Sequence, residues 1–352
     1  MSDNVELRVG NKVLRNWLSY TIEADIYTAD DAFSLELAHL EIAITAGQEC
    51  KLYVNGEPEL TGIIDRVNRS YDKSGEKLRI EGRDLMGLLV DSYCEEFVTL
   101  QGTTVKSLAE RLLKSIPFIN RKKIIYQEDF AGRLKKKGKS SGDSSLNLID
   151  VPHNFSQIEP GMTVFEVLKQ YSASRGMMFF SLPDGTFVFG RPREKGTPLY
   201  AIVCTRDGKD NNVLEGEMVN DISKQYSKIT VIGQQQGTDD SESNKINTKA
   251  SVTDSSVPFY KPMVVKDNND YQSPALRARM LLEKARHDGF QLHYKVPFHS
   301  QGGRNWAINE LCTVKDEVLG IEGTYLIYGR TLELSRQGSF TSVKLGKPGV
   351  AK

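Results

Sequence analysis

The sequence is poor in the residues that carry most site chemistry. Its 352 residues include 5 His, 4 Cys and 2 Trp. Net charge is missing too: 46 Lys and Arg stand against 46 Asp and Glu, so the chain lacks the basic footprint of a protein that grips nucleic acid or an anionic membrane through its whole surface. No run of about 18 apolar residues occurs, and the N-terminus, MSDNVELRVGNKV, lacks the charged-then-apolar layout of a signal peptide. The expectation is a chain that neither spans a membrane nor passes through the general secretory route, and that is made and folded in a cytoplasm. What is present is ordinary for a folded protein, with 39% hydrophobic residues and 29 Gly. At roughly 150 residues per domain, the length predicts two to three domains.

The scarce residues are also scattered. Cys50, Cys94, Cys204 and Cys312 lie far apart, without a CxxC pair, among apolar or strand-like neighbours, and read as reduced structural thiols. His287, His293 and His299 recur every six residues, which fits neither a helix face nor the HxxxH or HxH spacing of a metal site. Gly289 and Pro297 interrupt that segment, and His39 and His153 have no acidic or thiol neighbour at ligand spacing.

The best chemical decoy is Gly132-Arg133-Leu134-Lys135-Lys136-Lys137-Gly138-Lys139-Ser140. It looks like a phosphate-binding loop, yet five residues separate its glycines where the motif has four, and Tyr126 to Ala131 is no apolar strand. Lys135, Lys136, Lys137 and Lys139 read as a solvated loop ahead of a contact to DNA or to an acidic partner. No GxSxG elbow occurs. The carboxylate pairs Asp30-Asp31, Glu95-Glu96 and Asp239-Asp240 look like turns or solvated loops, and Trp17 and Trp306 read as packing ahead of sugar stacking. No catalytic, cofactor-binding or metal-binding residue is assigned, and no cofactor is expected.

The chain is richer in strand signals. Phe33, Leu35 and Leu37 alternate with polar residues, as do Leu52 and Val54 before Asn55-Gly56, the dipeptide of a tight hairpin. Gly62-Ile63-Ile64, Val67, the turn Asp72-Lys73-Ser74-Gly75 and the alternating Leu78 and Ile80 complete an antiparallel meander that reads as a small barrel. A helix is expected behind Thr103 or Thr104, with Val105, Leu108, Ala109, Leu112, Leu113 and Ile116 on one face and Pro117 ending it. Thr163 and Glu166 have capping-box spacing for a second helix, through Val164, Val167, Leu168 and Tyr171 to Gly176. A hairpin of Met178 to Ser181 and Phe187 to Phe189 around Pro183-Asp184-Gly185 follows.

Lys228 to Ile232 reads as a strand, a third helix is expected from Ser273 and Pro274 to Gly289, and the C-terminal part returns to a meander. Two stretches, Glu128 to Asn154 and Gln234 to Ser256, have too little apolar content to pack and read as long mobile loops. The meander from Glu49 to Ile80 and the one from Glu310 to Leu345 carry the same order of features, which internal duplication would give and which any two meanders share in part.

The whole order resembles the baseplate hub proteins of contractile-tailed phages. The residues that carry it are Ile80-Glu81-Gly82-Arg83-Asp84-Leu85-Met86-Gly87-Leu88-Leu89, the helix from Thr104, and Thr163-Val164-Phe165-Glu166-Val167-Leu168 leading to Ser174-Arg175-Gly176-Met177-Met178-Phe179-Phe180 and Asp184-Gly185-Thr186. The Mu-like tail protein P group, late-control protein D and the hubs of type VI secretion spikes share this plan. The Lys-rich loop and the Gln234 to Ser256 loop map onto no element of it.

The resemblance implies an α+β fold, mostly antiparallel β, with two tail-tube-like β-barrel domains and an α+β module between them. The division it implies is 1–95, 96–195 with the long Lys/Ser-rich loop, and 196–352 with a helix over 273–288. It further implies a non-enzymatic structural virion protein that joins the tail tube to the central spike. Three copies would form a pseudo-sixfold ring through which DNA passes unbound, with tube, spike and other baseplate proteins as partners and no membrane insertion. The expected location is the tail baseplate, after assembly in the host cytoplasm. The rival readings are a tail-tip cell-wall hydrolase and a carbohydrate-binding adhesin.

Overall fold

The computed structural model describes residues 3–38, 43–73, 75–95, 102–127, 157–233, 249–267 and 274–351. Seven strands open the chain: β1 (Val5–Val9), β2 (Lys12–Leu14), β3 (Ser19–Asp25), β4 (Ala32–Leu37), β5 (Glu49–Val54), β6 (Glu57–Asp72) and β7 (Gly75–Asp84). The expected hairpin forms at Asn55-Gly56, where φ is 50° and 84°, the paired positive values that a tight two-residue turn demands. Along β3 and β4 burial alternates with polar exposure, as a half-buried strand requires. Gly82 leaves room for the Phe33 ring, which a Cβ there would meet at 2.7 Å.

A middle unit follows, with α1 (Met86–Asp91), α2 (Val105–Leu112), β8 (Ile125–Tyr126), α3 (Val164–Ser174), β9 (Met178–Ser181) and β10 (Phe187–Gly190). The capping box at Thr163 is present: its hydroxyl accepts from Glu166 N–H at 3.2 Å, and the Glu166 carboxylate accepts from Thr163 N–H at 2.8 Å. Helix α2 is shorter than its periodicity predicts. Val105, Leu108, Ala109, Leu112 and Leu113 are all buried, but the helix stops at Leu112, and Ile116 packs on the same core from the turn beyond it.

The last part holds β11 (Tyr200–Cys204), β12 (Glu215–Asn220), β13 (Lys228–Gly233), β14 (Lys249–Thr253), β15 (Pro262–Asp267), α4 (Pro274–Asp288), β16 (Phe290–Pro297), β17 (Ser300–Gln301), β18 (Arg304–Asn305), β19 (Glu310–Asp316), β20 (Ile321–Ser335) and β21 (Gly338–Gly346). The expectation of one loop from Gln234 to Ser256 is corrected here. Lys249–Thr253 pairs with β13 as β14, its only apolar contribution being the small Ala250 and the Val252 that packs under α4. Asp254 is buried against Arg286 at 2.6 Å. Residues 234–248 lie outside the described residues, as do His39, His153, Asp239-Asp240, Ser273 and the whole stretch from Glu128 to Asn154.

A 13-stranded sheet runs through the chain in the order β12-β16-β21-β20-β3-β4-β7-β6-β5-β1-β2, with β19 and then β11 branching from β20. Among the described residues no ladder closes either half into a barrel. Each half instead wraps its own core. Leu7, Leu35, Leu52, Ile64 and Ile80 share one cluster with Leu14 and Ile22 from the far strands, and the Trp17 ring closes over it, donating to Val5 C=O at 2.9 Å. Leu292, Tyr294, Val314, Ile327 and Leu345 form the second, with Trp306 stacked on Tyr200 at 4.7 Å. The three helices α1, α2 and α3 lie with β9 and β10 over a third, around Phe165, Phe179 and Phe189.

The halves are tied by a buried charge pair. Arg330, on β20, donates to the Trp306 carbonyl at 2.5 Å and pairs with Glu59 at the start of β6. The side chains are 2% and 8% exposed, and removing one partner would leave the other buried and uncompensated. Glu59→Ala is expected to cost about 3–5 kcal/mol of unfolding free energy in urea titrations, whereas a cost below about 1 kcal/mol, that of a surface pair, contradicts this role.

Candidate assembly interface

The central feature is the joint between the two halves. Strand β20 is hydrogen-bonded on one edge to β19 over Ile321–Ile327, and beyond that point its freed edge takes β3, with Gly329 opposite Asp25 and Leu334 opposite Tyr20. Leu332 thereby enters the core of the first half beside Ile22. Lys344, on β21, reaches the Asp25 carboxylate at 3.3 Å across Gly329, whose missing side chain leaves the space.

Two edges of the sheet are without such a partner among the described residues. Strand β12 pairs with β16 only, and β6 beyond Ile64 pairs with β7 only. Their exposure follows: β12 is exposed at every position but one, and Asp65 to Asp72 at every position but Val67. Tyr71 is 84% and Met218 38% exposed. Paired β3 and β20, by contrast, bury Tyr20, Ile22, Ala24 and Leu332. Bare strand edges are templates for further pairing, so these two are the candidate surfaces for assembly.

Behind the joint lies a cluster of carboxylates. Arg83 collects Asp65 at 2.7 Å, Asp91 at 2.5 Å and Asp30 at 3.1 Å. Asp84 is buried, takes a hydrogen bond from the Ser181 hydroxyl, and accepts Met86 N–H at 3.1 Å, which starts α1. Asp31 turns inward to accept Asp25 N–H at 2.9 Å. Burial raises both acids, each reinforced by a neighbouring carboxylate, and brings Asp84 to about 7. Asp30-Asp31 lies in the turn between β3 and β4, in keeping with the reading of turns or solvated loops, but neither carboxylate is simply solvated: Asp30 pairs with Arg83 and Asp31 accepts Asp25 N–H.

The remaining candidates are dispersed. His287 is buried between Tyr27 and Tyr328, each 4.7 Å away. His293 stands 3.2 Å from Glu217 on the surface, and His299 is buried with Tyr20 Oη at 2.7 Å and Thr341 Oγ1 at 3.2 Å, its basicity pulled down to about 4 by desolvation. All four cysteines are free, and burial pushes the Cys50 and Cys312 thiols up to about 12. Among the described residues no group of three or more His, Cys, Asp or Glu could hold a metal ion, and no helix is long and apolar enough to cross a membrane. The sequence reading missed both strand edges, because edge status depends on pairing partners remote in the chain.

Residues 4–84 match the family model of the Mu phage baseplate assembly protein GpP-like N-terminal domain, and residues 225–282 that of the third domain of tail protein NMB1110-like proteins. The second match falls on β13, β14, β15 and most of α4. The baseplate hub protein gp44 of Escherichia phage Mu is 23% identical over 362 residues, spanning 98% of this chain and 88% of that protein. Among solved structures, the tail protein from Neisseria meningitidis MC58 is 26% identical with a TM-score of 0.81, covering 99% of this chain and 98% of its own. The 43 kDa tail protein of prophage MuSo2 from Shewanella oneidensis is 23% identical with a TM-score of 0.77 and covers 99% of each chain.

The buried acid Asp84 fixes a sign for the pH dependence. Its folded-state affinity for the proton exceeds the unfolded one, so its stabilising contribution is present at low pH and is lost as pH rises toward 7. Asp84→Asn, neutral at every pH, is expected to fall less in Tm than the unaltered protein between about pH 4 and pH 7 when the two are compared by calorimetry. Equal slopes for the two proteins contradict the assignment.

Proposed function

We propose that the chain is a phage tail and baseplate protein of the Mu-like kind, on its similarity to such proteins, and the central hub of a contractile tail's baseplate, joining the tail tube to the central spike. In this reading residues 1–95 and 196–352 are tube-like barrel domains and 96–195 the α+β module between them. Three copies form a ring of six similar halves, sixfold enough for the tube and threefold for the spike. The hub is assembled in the host cytoplasm, and its role is structural, with no catalytic, metal or cofactor residue assigned.

The observation that carries this reading is the repeated strand path. The order β3-β4-β7-β6-β5-β1 in the first half recurs as β12-β16-β21-β20-β19-β11 in the second, differing in that β1 meets β5 antiparallel whereas β11 meets β19 parallel. A chain with two like halves, a joint between them and an open edge at each end is built for head-to-tail contacts, which close a ring when the rotation allows. The balance of 46 basic against 46 acidic residues supports a lumen that lets a polyanion pass, since grip on duplex DNA depends on neutralised phosphates.

Sedimentation velocity and negative-stain averaging of the purified protein at high concentration, alone and with its spike protein, are expected to give a threefold ring with a sixfold outline. A protein that stays monomeric under both conditions overturns the reading.

A further inference from the structure

We infer that the outer edge of β6, from Arg66 to Tyr71, pairs antiparallel with β12, from Gly216 to Asp221, of a second copy of this chain, in the register that β20 and β3 adopt within one chain. The inference rests on the ring reading and specifies the contact that closes it.

The two halves repeat each other in their irregularities as well as their strand order. The β6–β7 ladder slips between Ile64 and Arg66, and the β20–β21 ladder slips between Ile327 and Gly329. Leu18 N–H donates to Glu36 C=O at 2.7 Å, and Leu214 N–H to Lys295 C=O at 2.8 Å. Gly47 N–H donates to Ile64 C=O at 2.8 Å, and Asn309 N–H to Ile327 C=O at 2.8 Å. Asp25 Oδ1 accepts from Tyr27 N–H at 3.0 Å just as Asp221 Oδ1 accepts from Ser223 N–H at 2.8 Å. These coincidences fix the correspondence residue by residue. Ile64 matches Ile327 and Arg66 matches Gly329, while Gly216 matches Tyr20, Met218 matches Ile22 and Asp221 matches Asp25.

Inside the chain, Gly329 to Leu334 pair with Asp25 to Tyr20. Transferred to β6 and β12, whose outer edges take no strand among the described residues, this register sets Arg66 opposite Asp221, Val67 opposite Asn220, Asn68 opposite Val219, Arg69 opposite Met218, Ser70 opposite Glu217 and Tyr71 opposite Gly216. The side chains suit that arrangement. In the intrachain joint Asp25 is neutralised by Lys344, reaching over Gly329. In the intermolecular one Lys344 is replaced by Glu81, and the positive charge moves onto the strand itself as Arg66, which already holds Glu81 at 3.7 Å and would meet Asp221 directly. Tyr71, 84% exposed, gains a glycine to cover, and the stem of Arg69, whose guanidinium donates to Ile44 C=O at 2.9 Å, lies on Met218.

Exposure decides between a pairing edge and an ordinary solvated one. The strands that have their partner, β3 and the second half of β20, are buried or half-buried at every position but Glu23, while their counterparts β12 and the second half of β6 are exposed along nearly their whole length. A second copy of the chain supplies both missing partners at once, because each copy carries one edge of each kind.

Crosslinking tests the register. Ile26 N–H donates to Tyr328 C=O at 2.9 Å, so by alternation Thr331 and Glu23 form a non-hydrogen-bonded pair, as would Asn68 and Val219. Such pairs have Cα atoms about 4.5 Å apart, within disulfide reach. In a Cys204→Ser background, whose other cysteines are buried, the full chain carrying Asn68→Cys and Val219→Cys is oxidised at high concentration. The expected product is a closed covalent trimer, with little from the one-residue slip, Asn68→Cys with Met218→Cys. A trimer in sedimentation that does not crosslink, or that crosslinks as well in the slipped pair, overturns the register and leaves the ring. A protein that is monomeric and does not crosslink overturns both.

Discussion

The ladder between β3 and β20 is the interaction on which the rest of the molecule depends. It is the backbone ladder that joins the strands of the two halves among the described residues of the 13-stranded sheet, and it places Leu332 of the second half in the core of the first. Backbone N–H and C=O groups along a strand edge need partners. Strand β20 meets that need by running past the end of β19 and taking β3. The long β6 runs past the end of β5 in the same way, and among the described residues no strand takes its edge there, which is exposed. The geometry that holds one chain together is thus the geometry it offers to the next.

What differs between the halves is what has been added to the repeat. Residues 225–282, matching a separate family model, enter between β12 and β16, at the point where the first half has only the short turn between β3 and β4. The helices α1, α2 and α3 enter after β7, before the second half begins at β11. Both additions carry their own cores, Ile229 with Leu282 and Ala285 in one, Phe165 with Phe179 and Phe189 in the other. Neither interrupts the path of the sheet. The buried Asp84, with Ser181 reaching in from β9, joins the middle unit to the first half, and Arg330 with Glu59 joins the second half to the first.

Much of this was legible in the sequence, for physical reasons that also mark where legibility ends. The Asn55-Gly56 hairpin, the capping box of Thr163 and Glu166 and the buried face of α2 are set by neighbours a few residues apart, and each was read from spacing. The repeat was visible in outline, since the meanders from Glu49 and from Glu310 carry the same signals. Strand β14 was missed, because Lys249–Thr253 has only Ala250 and Val252 to mark a half-buried strand. The local pattern marks Asp31 and Asp254 only as turn or loop residues, because their carboxylates take partners, Asp25 N–H and Arg286, that no local pattern reveals. The two bare edges were invisible for the same reason: whether β6 and β12 are covered depends on strands hundreds of residues away or in another molecule.

The most direct measurement is a cryo-EM map of the assembled tail tip at side-chain resolution. The account predicts six strand junctions around the ring, alternating between β20 with β3 inside a chain and β6 with β12 between chains, with Arg66 against Asp221 in three of them. A map in which β6 and β12 of neighbouring copies face solvent, or in which the copies meet through other elements, would contradict it.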